Sequence, residues 1–188
     1  MAVMKNTVFC KCKNMELREL LLVSYSSVAD RDRGAKLIHR HPEYFTSLME
    51  MACAAEDKRE NILAAWILEK YAVEQPECLD SDFTFFLEGA LQQKNDSKRR
   101  PFAKLLYHYC KDKTSRKLLS RQQIDWIVEI CFGYMLESQK AAPLAFALKT
   151  LHFFRNHKPW ISEEIQAFIE KKHPNSSAGF RSVVRQIS

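Results

Sequence analysis

The residues able to do chemistry in this chain are mostly cations, and they are grouped. Lys98, Arg99, Arg100 and Lys104 form one group. Lys111, Lys113, Arg116, Lys117 and Arg121 form a second, and Arg155 with Lys158 a third. Arg181 and Arg185 follow near the end. Each guanidinium or ammonium can pair with an oxyanion, and a row of them can track a phosphate backbone. Acidic neighbours at Asp96, Asp112 and Asp125 also fit a plainer account, a solvated basic face.

Other chemistry finds little support. His39 and His41 lie two residues apart, which points their rings away from each other on a helix. His108 and His152 sit in apolar stretches and read as partly buried histidines. Asp80 with Asp82, and Glu163 with Glu164, suit helix starts better than an acid/base pair. There is no metalloprotease His pair, nucleophile elbow or phosphate loop. Cys10 and Cys12 are the one close cysteine pair, and a closed zinc site needs four ligands. No catalytic residue, metal site or cofactor is expected.

The 188 residues include 46% hydrophobic ones, enough for one domain with a sizeable core. Only 4 are Gly and 6 Pro, which argues against a sandwich or a nucleotide-binding α/β fold, both rich in glycine turns. Cys53, Cys78, Cys110 and Cys131 lie in apolar surroundings, as reduced cysteines do. With no Cys-x-x-Cys pair and no apolar leader, a cytoplasmic chain with no membrane partner is expected. Residues 1–94 carry 12 basic and 15 acidic side chains, and residues 95–188 carry 17 and 8. That polarity is a statement about partners, not fold.

The elements that must position these groups read as helices throughout. Residues 1–13 lack a period and are expected to be a flexible N-terminus, with a single helical domain over 14–188. Asn14 is a plausible cap for a helix carrying Leu17, Leu20, Leu21, Ser24 and Val28 at helical spacing. A helix over about 30–40 follows, and Pro42 opens another with Phe45, Leu48, Met49 and Ala52 on its buried stripe. Asp57 to Glu60 resembles a capping box. It precedes the centre of the chain, residues 61–71, which is apolar without interruption from Ile62 to Leu68. Such a helix must be covered on most sides, and Trp66 should be its largest buried side chain. Asp80 to Asp82 should cap a helix with Phe83, Phe86, Leu87 and Ala90 inside. After Asn95 and Pro101 come Phe102, Leu105, Leu106 and Tyr109. Residues 111–121 read as a polar connection. Ser120 with Gln123 makes a second capping box before Ile124, Ile127, Val128, Cys131 and Met135. Further helices open at Pro143 and near Pro159 and Ser162, and a last one covers about 178–186.

Helices apolar nearly all round begin near 61, 102 and 144, and each is followed by one with a single apolar stripe. Pro101 and Pro143 open corresponding helices. This alternation, with a period of about 40–47 residues, suits stacked helical hairpins of the HEAT and armadillo type. The fold class expected is all-α: a right-handed α-α superhelix of about four hairpins.

Residues 64–69 (Ala-Ala-Trp-Ile-Leu-Glu), 100–105 (Arg-Pro-Phe-Ala-Lys-Leu), 124–131 (Ile-Asp-Trp-Ile-Val-Glu-Ile-Cys) and 177–181 (Ser-Ala-Gly-Phe-Arg) together resemble a family of small bacterial HEAT-like helical proteins. The resemblance runs from about residue 17 to the end. Members of that family often carry the label adenylosuccinate lyase. Genuine lyases of that name use a Ser-Ser-x-Met-Pro-x-Lys-x-Asn-Pro loop. Ser176-Ser177-Ala178-Gly179 is the nearest match and lacks the Met, Pro, Lys and Asn. HEAT-like DNA-repair glycosylases hold duplex DNA with an array of cations, but their catalytic cluster matches no positions here.

The function expected is therefore a non-enzymatic α-solenoid module that binds a protein or peptide. One alternative is nucleic-acid binding through a basic rim made of Lys98, Arg99, Arg100, Lys104, Lys113, Arg116, Lys117, Arg121, Arg155 and Lys158; a second is the adenylosuccinate lyase activity that the family label implies, disfavoured by the absent signature loop.

Overall fold

The computed structural model describes Leu17, Leu21, residues 27–172 and residues 178–187. Among these residues there is no strand. The helices are α1 (Val28–Arg40), α2 (Phe45–Cys53), α3 (Arg59–Ala72), α4 (Phe83–Gln92), α5 (Asp96–Lys111), α6 (Lys113–Leu118), α7 (Arg121–Glu137), α8 (Ala141–Phe153), α9 (Trp160–Lys172) and α10 (Ala178–Ile187). Short 3-10 turns at Pro42–Tyr44 and Pro76–Asp82 lead into α2 and α4. Leu17 and Leu21 are helical and fully buried. The expected Asn14 cap, Leu20, Ser24 and the flexible segment 1–13 lie outside the described residues.

The helices form two layers. One stacks α1, α3, α5, α8 and α10 in that order, and the other stacks α2, α4 and α7, with α9 reached through Phe132 and Trp160. The layers are joined where α2 packs on α3 and α7 on α8. Three antiparallel pairs result, α2/α3, α4/α5 and α7/α8, and a fourth pair, α9 and α10, meets through Phe168 and Phe180. The first helices of these pairs begin at residues 45, 83, 121 and 160, a repeat of about 38 residues. That is shorter than the spacing between the two prolines suggested. The two prolines lie in the second helices of their pairs, α5 and α8, which begin 45 residues apart, at 96 and 141.

The local reasons are readable. Ser27 caps α1 by accepting from the Asp30 amide at 3.1 Å, and its hydroxyl donates back to Asp30 Oδ2 at 2.6 Å. Asn95 caps α5 through the Ser97 amide, and Ser120 with Gln123 closes the expected capping box on α7. The box at Asp57–Glu60 does not form. Lys58 occupies the N-cap without a side-chain bond, and Asn61 instead donates its amide to the Glu56 carbonyl at 3.0 Å. The polar connection 111–121 is largely helical. Asp112 accepts from the Ser115 amide at 2.7 Å and starts α6, and this bond, first among its causes, holds the Asp112 carboxyl below its ordinary range.

Helix α3 is central, packed by α1, α2 and α5. Ala64 and Ala65 are buried and let its neighbours approach. Trp66 is only half-buried, because Ile62, Trp66 and Lys70 share the one stripe of α3 that faces out. Its indole has a specific role. Pro101 lies inside α5 and has no N–H for the Ser97 carbonyl one turn back. Trp66 Nε1 donates to that carbonyl at 2.7 Å. Two glycines are required by packing: a Cβ on Gly34 would stand 2.5 Å from Ile67 Cδ1, and one on Gly89 would stand 2.5 Å from Cys53 Cβ.

Candidate binding faces

The ten cations of the expected rim do not form one row. Helix α5 begins at Asp96, about two turns before Phe102. Lys98 and Arg99 therefore take the buried phase of the helix, one turn before Phe102 and Ala103. Lys98 is 0% exposed and donates to the Ala54 carbonyl, and burial lowers its pKa from the ordinary lysine value. Arg99 is 5% exposed. Its Nε donates to the Gln93 carbonyl at 2.9 Å, its guanidinium pairs with Glu137, and it lies over the Tyr134 ring at 5.5 Å. The expectation that these two face a phosphate is corrected: they tie loops to the core.

Four more have intramolecular partners. Arg100 and Lys104 both reach Glu69 Oε1, at 3.2 and 2.8 Å. Arg116 donates to the Cys110 carbonyl at 2.7 Å and covers the Phe153 ring at 4.8 Å. Lys158 pairs with Asp125 at 2.5 Å and, with His157, holds that carboxyl below its ordinary range. Arg155 is exposed beside the His152 ring. Lys113, Lys117 and Arg121 are exposed on α6 and the start of α7.

What the fold does assemble is a continuous face across the outside of α1, α3, α5 and α8. On α5 the outward positions are Arg100, Lys104, Tyr107, His108 and Lys111, at helical spacing. On α8 they include Phe146, Lys149, His152 and Phe153. Contacts across the helices knit the face together. Arg31 lies over Trp66 at 4.9 Å, and Lys70 meets Asp32 at 3.1 Å. Tyr107 stacks on Phe153 at 5.9 Å, meets Phe146 at 5.7 Å, and carries Lys149 at 5.6 Å. At its centre Glu69 is buried, with Oε2 unpartnered by protein. Beside it, burial lowers the His108 pKa, and Lys104 and Lys111 lower it further. His152 is lowered by burial and by Arg155. The sequence reading missed Tyr107, Phe146, Lys149 and Phe153. Their signal was helical phase: they share the polar stripe of helices treated as apolar all round.

A family model described as a HEAT repeat domain matches residues 19–188. The chain belongs to the HEAT repeat family. No curated protein and no solved structure matches it. The HEAT array separates its charges by layer. Helix α5 carries five cations against Asp96, and α8 carries Lys149 with no acid, whereas α2 and α4 carry Glu50 and Glu88 with no cation. Helix α7 bears Asp125, Glu129 and Glu137 against Arg121. Outside the buried Lys98 and Arg99, the charges of α5 and α8 are thus mostly basic and those of α2, α4 and α7 mostly acidic.

No group of His, Cys, Asp and Glu among the described residues could hold a metal ion, and no described helix is long and apolar enough to cross a membrane. Cys53, Cys110 and Cys131 are buried free thiols, and burial pushes the Cys53 thiol up to about 12.

Proposed function

We propose that this HEAT array is an interaction module whose α3/α5/α8 face binds an acidic protein segment carrying apolar or aromatic anchors. The observation that carries this reading is the cluster of Tyr107, Phe146 and Phe153 flanked by Lys149 and by Lys111, one turn beyond Tyr107 on α5. Cations beside half-exposed aromatic rings match a carboxylate-rich segment that also presents apolar side chains. A nucleic-acid strand fits less well. Its bases need free ring faces to stack on, and here the rings stack on one another or are capped by Lys149 and Arg116. Its phosphates need free cations, and six of the ten rim candidates are held by carbonyls or carboxylates of the chain itself.

The test is fluorescence anisotropy with a Glu/Asp-rich peptide bearing Phe and Leu, beside single-stranded RNA and duplex DNA. The peptide should bind, and Lys111→Glu with Lys149→Glu should weaken it at least about tenfold, or about 1.4 kcal/mol, without unfolding the chain. Nucleic-acid binding that falls steeply with salt, with no peptide binding, would overturn the reading in favour of a phosphate-backbone site.

A further inference from the structure

The opposite layer carries a second feature, centred on Gly133. Glycine inside a helix is unfavourable relative to alanine and is kept where another backbone or a ligand must come close. Gly34 and Gly89 meet that condition inside the chain. Gly133 lies well within α7, has no positive φ, and a Cβ placed on it would meet none of the described residues within 4 Å. Nothing among the described residues accounts for it. The space above it is a cleft of about 170 Å³ between α4 and α7, lined by Leu91, Arg99, Glu129, Ile130, Gly133 and Glu137.

The surroundings indicate what comes close. Leu136, one turn further along α7, is 69% exposed, and Leu91 is 39% exposed. Phe132 stands on the turn before and meets Trp160, itself 44% exposed, at 5.3 Å. Beside these apolar groups the exposed charges on the two helices are acidic, Glu88 on α4 and Glu129 on α7, with Lys94 in the turn after α4; the cation lining the cleft, Arg99, is buried and paired with Glu137. A groove between two helices, with a glycine in its floor, apolar side chains at its rims and carboxylates beside them, has the form that accepts a helix.

We infer that the α4/α7 groove at Gly133 docks a basic amphipathic helix of a protein partner, its apolar stripe between Leu91 and Leu136 and its lysines or arginines against Glu88 and Glu129. This site is separate from the α3/α5/α8 face, so the array would join an acidic partner on one side to a basic one on the other.

The experiment uses the full chain and a labelled peptide of about 16 residues, with leucines at i, i+3, i+4 and i+7 and lysine or arginine elsewhere. Saturable binding is expected below about 100 μM. Gly133→Leu, which fills the cleft in open space, should weaken it at least about tenfold without lowering the melting temperature. Leu136→Gln, at an exposed position, should weaken it too. Binding of the acidic peptide should be unchanged in both variants, which separates this site from the other face. The inference is overturned if the probe does not bind, if Gly133→Leu binds it as the parent does, or if a probe with glutamine for leucine binds equally. It is also overturned if the chain alone gains mass with concentration and Gly133→Leu abolishes that gain, because the groove would then belong to a second copy.

Discussion

One substitution made at three places tests the packing directly. Glycine to alanine in a helix gains about 1 kcal/mol from backbone propensity wherever the methyl finds room. At Gly133 it finds room, so Gly133→Ala should stabilise the chain by about 0.5–1 kcal/mol. At Gly34 the methyl would meet Ile67 Cδ1 at 2.5 Å and Cγ1 at 2.7 Å. That side chain is buried but ends freely, so overpacking of about 1–3 kcal/mol should leave a net loss between zero and 2. At Gly89 the methyl would stand 2.5 Å from Cys53 Cβ and Sγ and 3.0 Å from its Cα. Rotating a side chain cannot relieve a contact with Cβ and Cα, so α2 and α4 must separate. The loss there should be the largest of the three, near the upper end of about 1–3 kcal/mol. Urea unfolding with a shared m value gives the three differences, and the melting temperature should move by about 2–4 °C per kcal/mol for a chain of this size. If all three variants are stabilised alike, propensity alone governs these sites, and α2 and α4 are not in contact at Gly89 as described.

Other predictions follow from single contacts. Trp66→Phe removes the indole donor from the Ser97 carbonyl and should cost about 1 kcal/mol. Pro101→Ala restores a backbone donor to the same carbonyl, so a double-mutant cycle should show coupling, and additive effects would refute the shared acceptor. His108 and His152 both have pKa values lowered from 6.5, so the folded chain binds fewer protons than the unfolded one just below that pH. Stability should therefore fall as pH drops from about 6.5 through the folded values, and the double variant His108→Gln with His152→Gln should show a flatter acid limb in urea titrations. With Cys10 and Cys12 replaced by Ser, the thiols of Cys53, Cys110 and Cys131 should react with a disulfide reagent only as fast as the chain opens. Rapid labelling of all three in the folded chain would contradict their burial.

The sequence alone determined the helical class, because 3.6-residue spacing of Phe83, Phe86, Leu87 and Ala90, and of Ile127, Val128, Cys131 and Met135, admits no other element. It also determined the cap at Ser120, the hairpin alternation and the core, since burial follows from periodicity once a helix is assigned. Its errors came from phase and start point. Reading α5 from Pro101 instead of Asp96 left Lys98 and Arg99 outside, although two more turns of the same helix turn them inward. Reading the stretch around Trp66 as apolar all round hid the one stripe that faces out. The pairings that make the faces belong to the tertiary structure. Glu69 with Arg100 and Lys104 spans more than thirty residues, and Tyr107 with Phe146 and Phe153 joins two helices about forty residues apart in the chain. The meaning of Gly133 is likewise a matter of what lies around it in space. In the sequence it is one of four glycines, and only the packing of α4 against α7 shows that none of the described residues occupies the place its side chain would take.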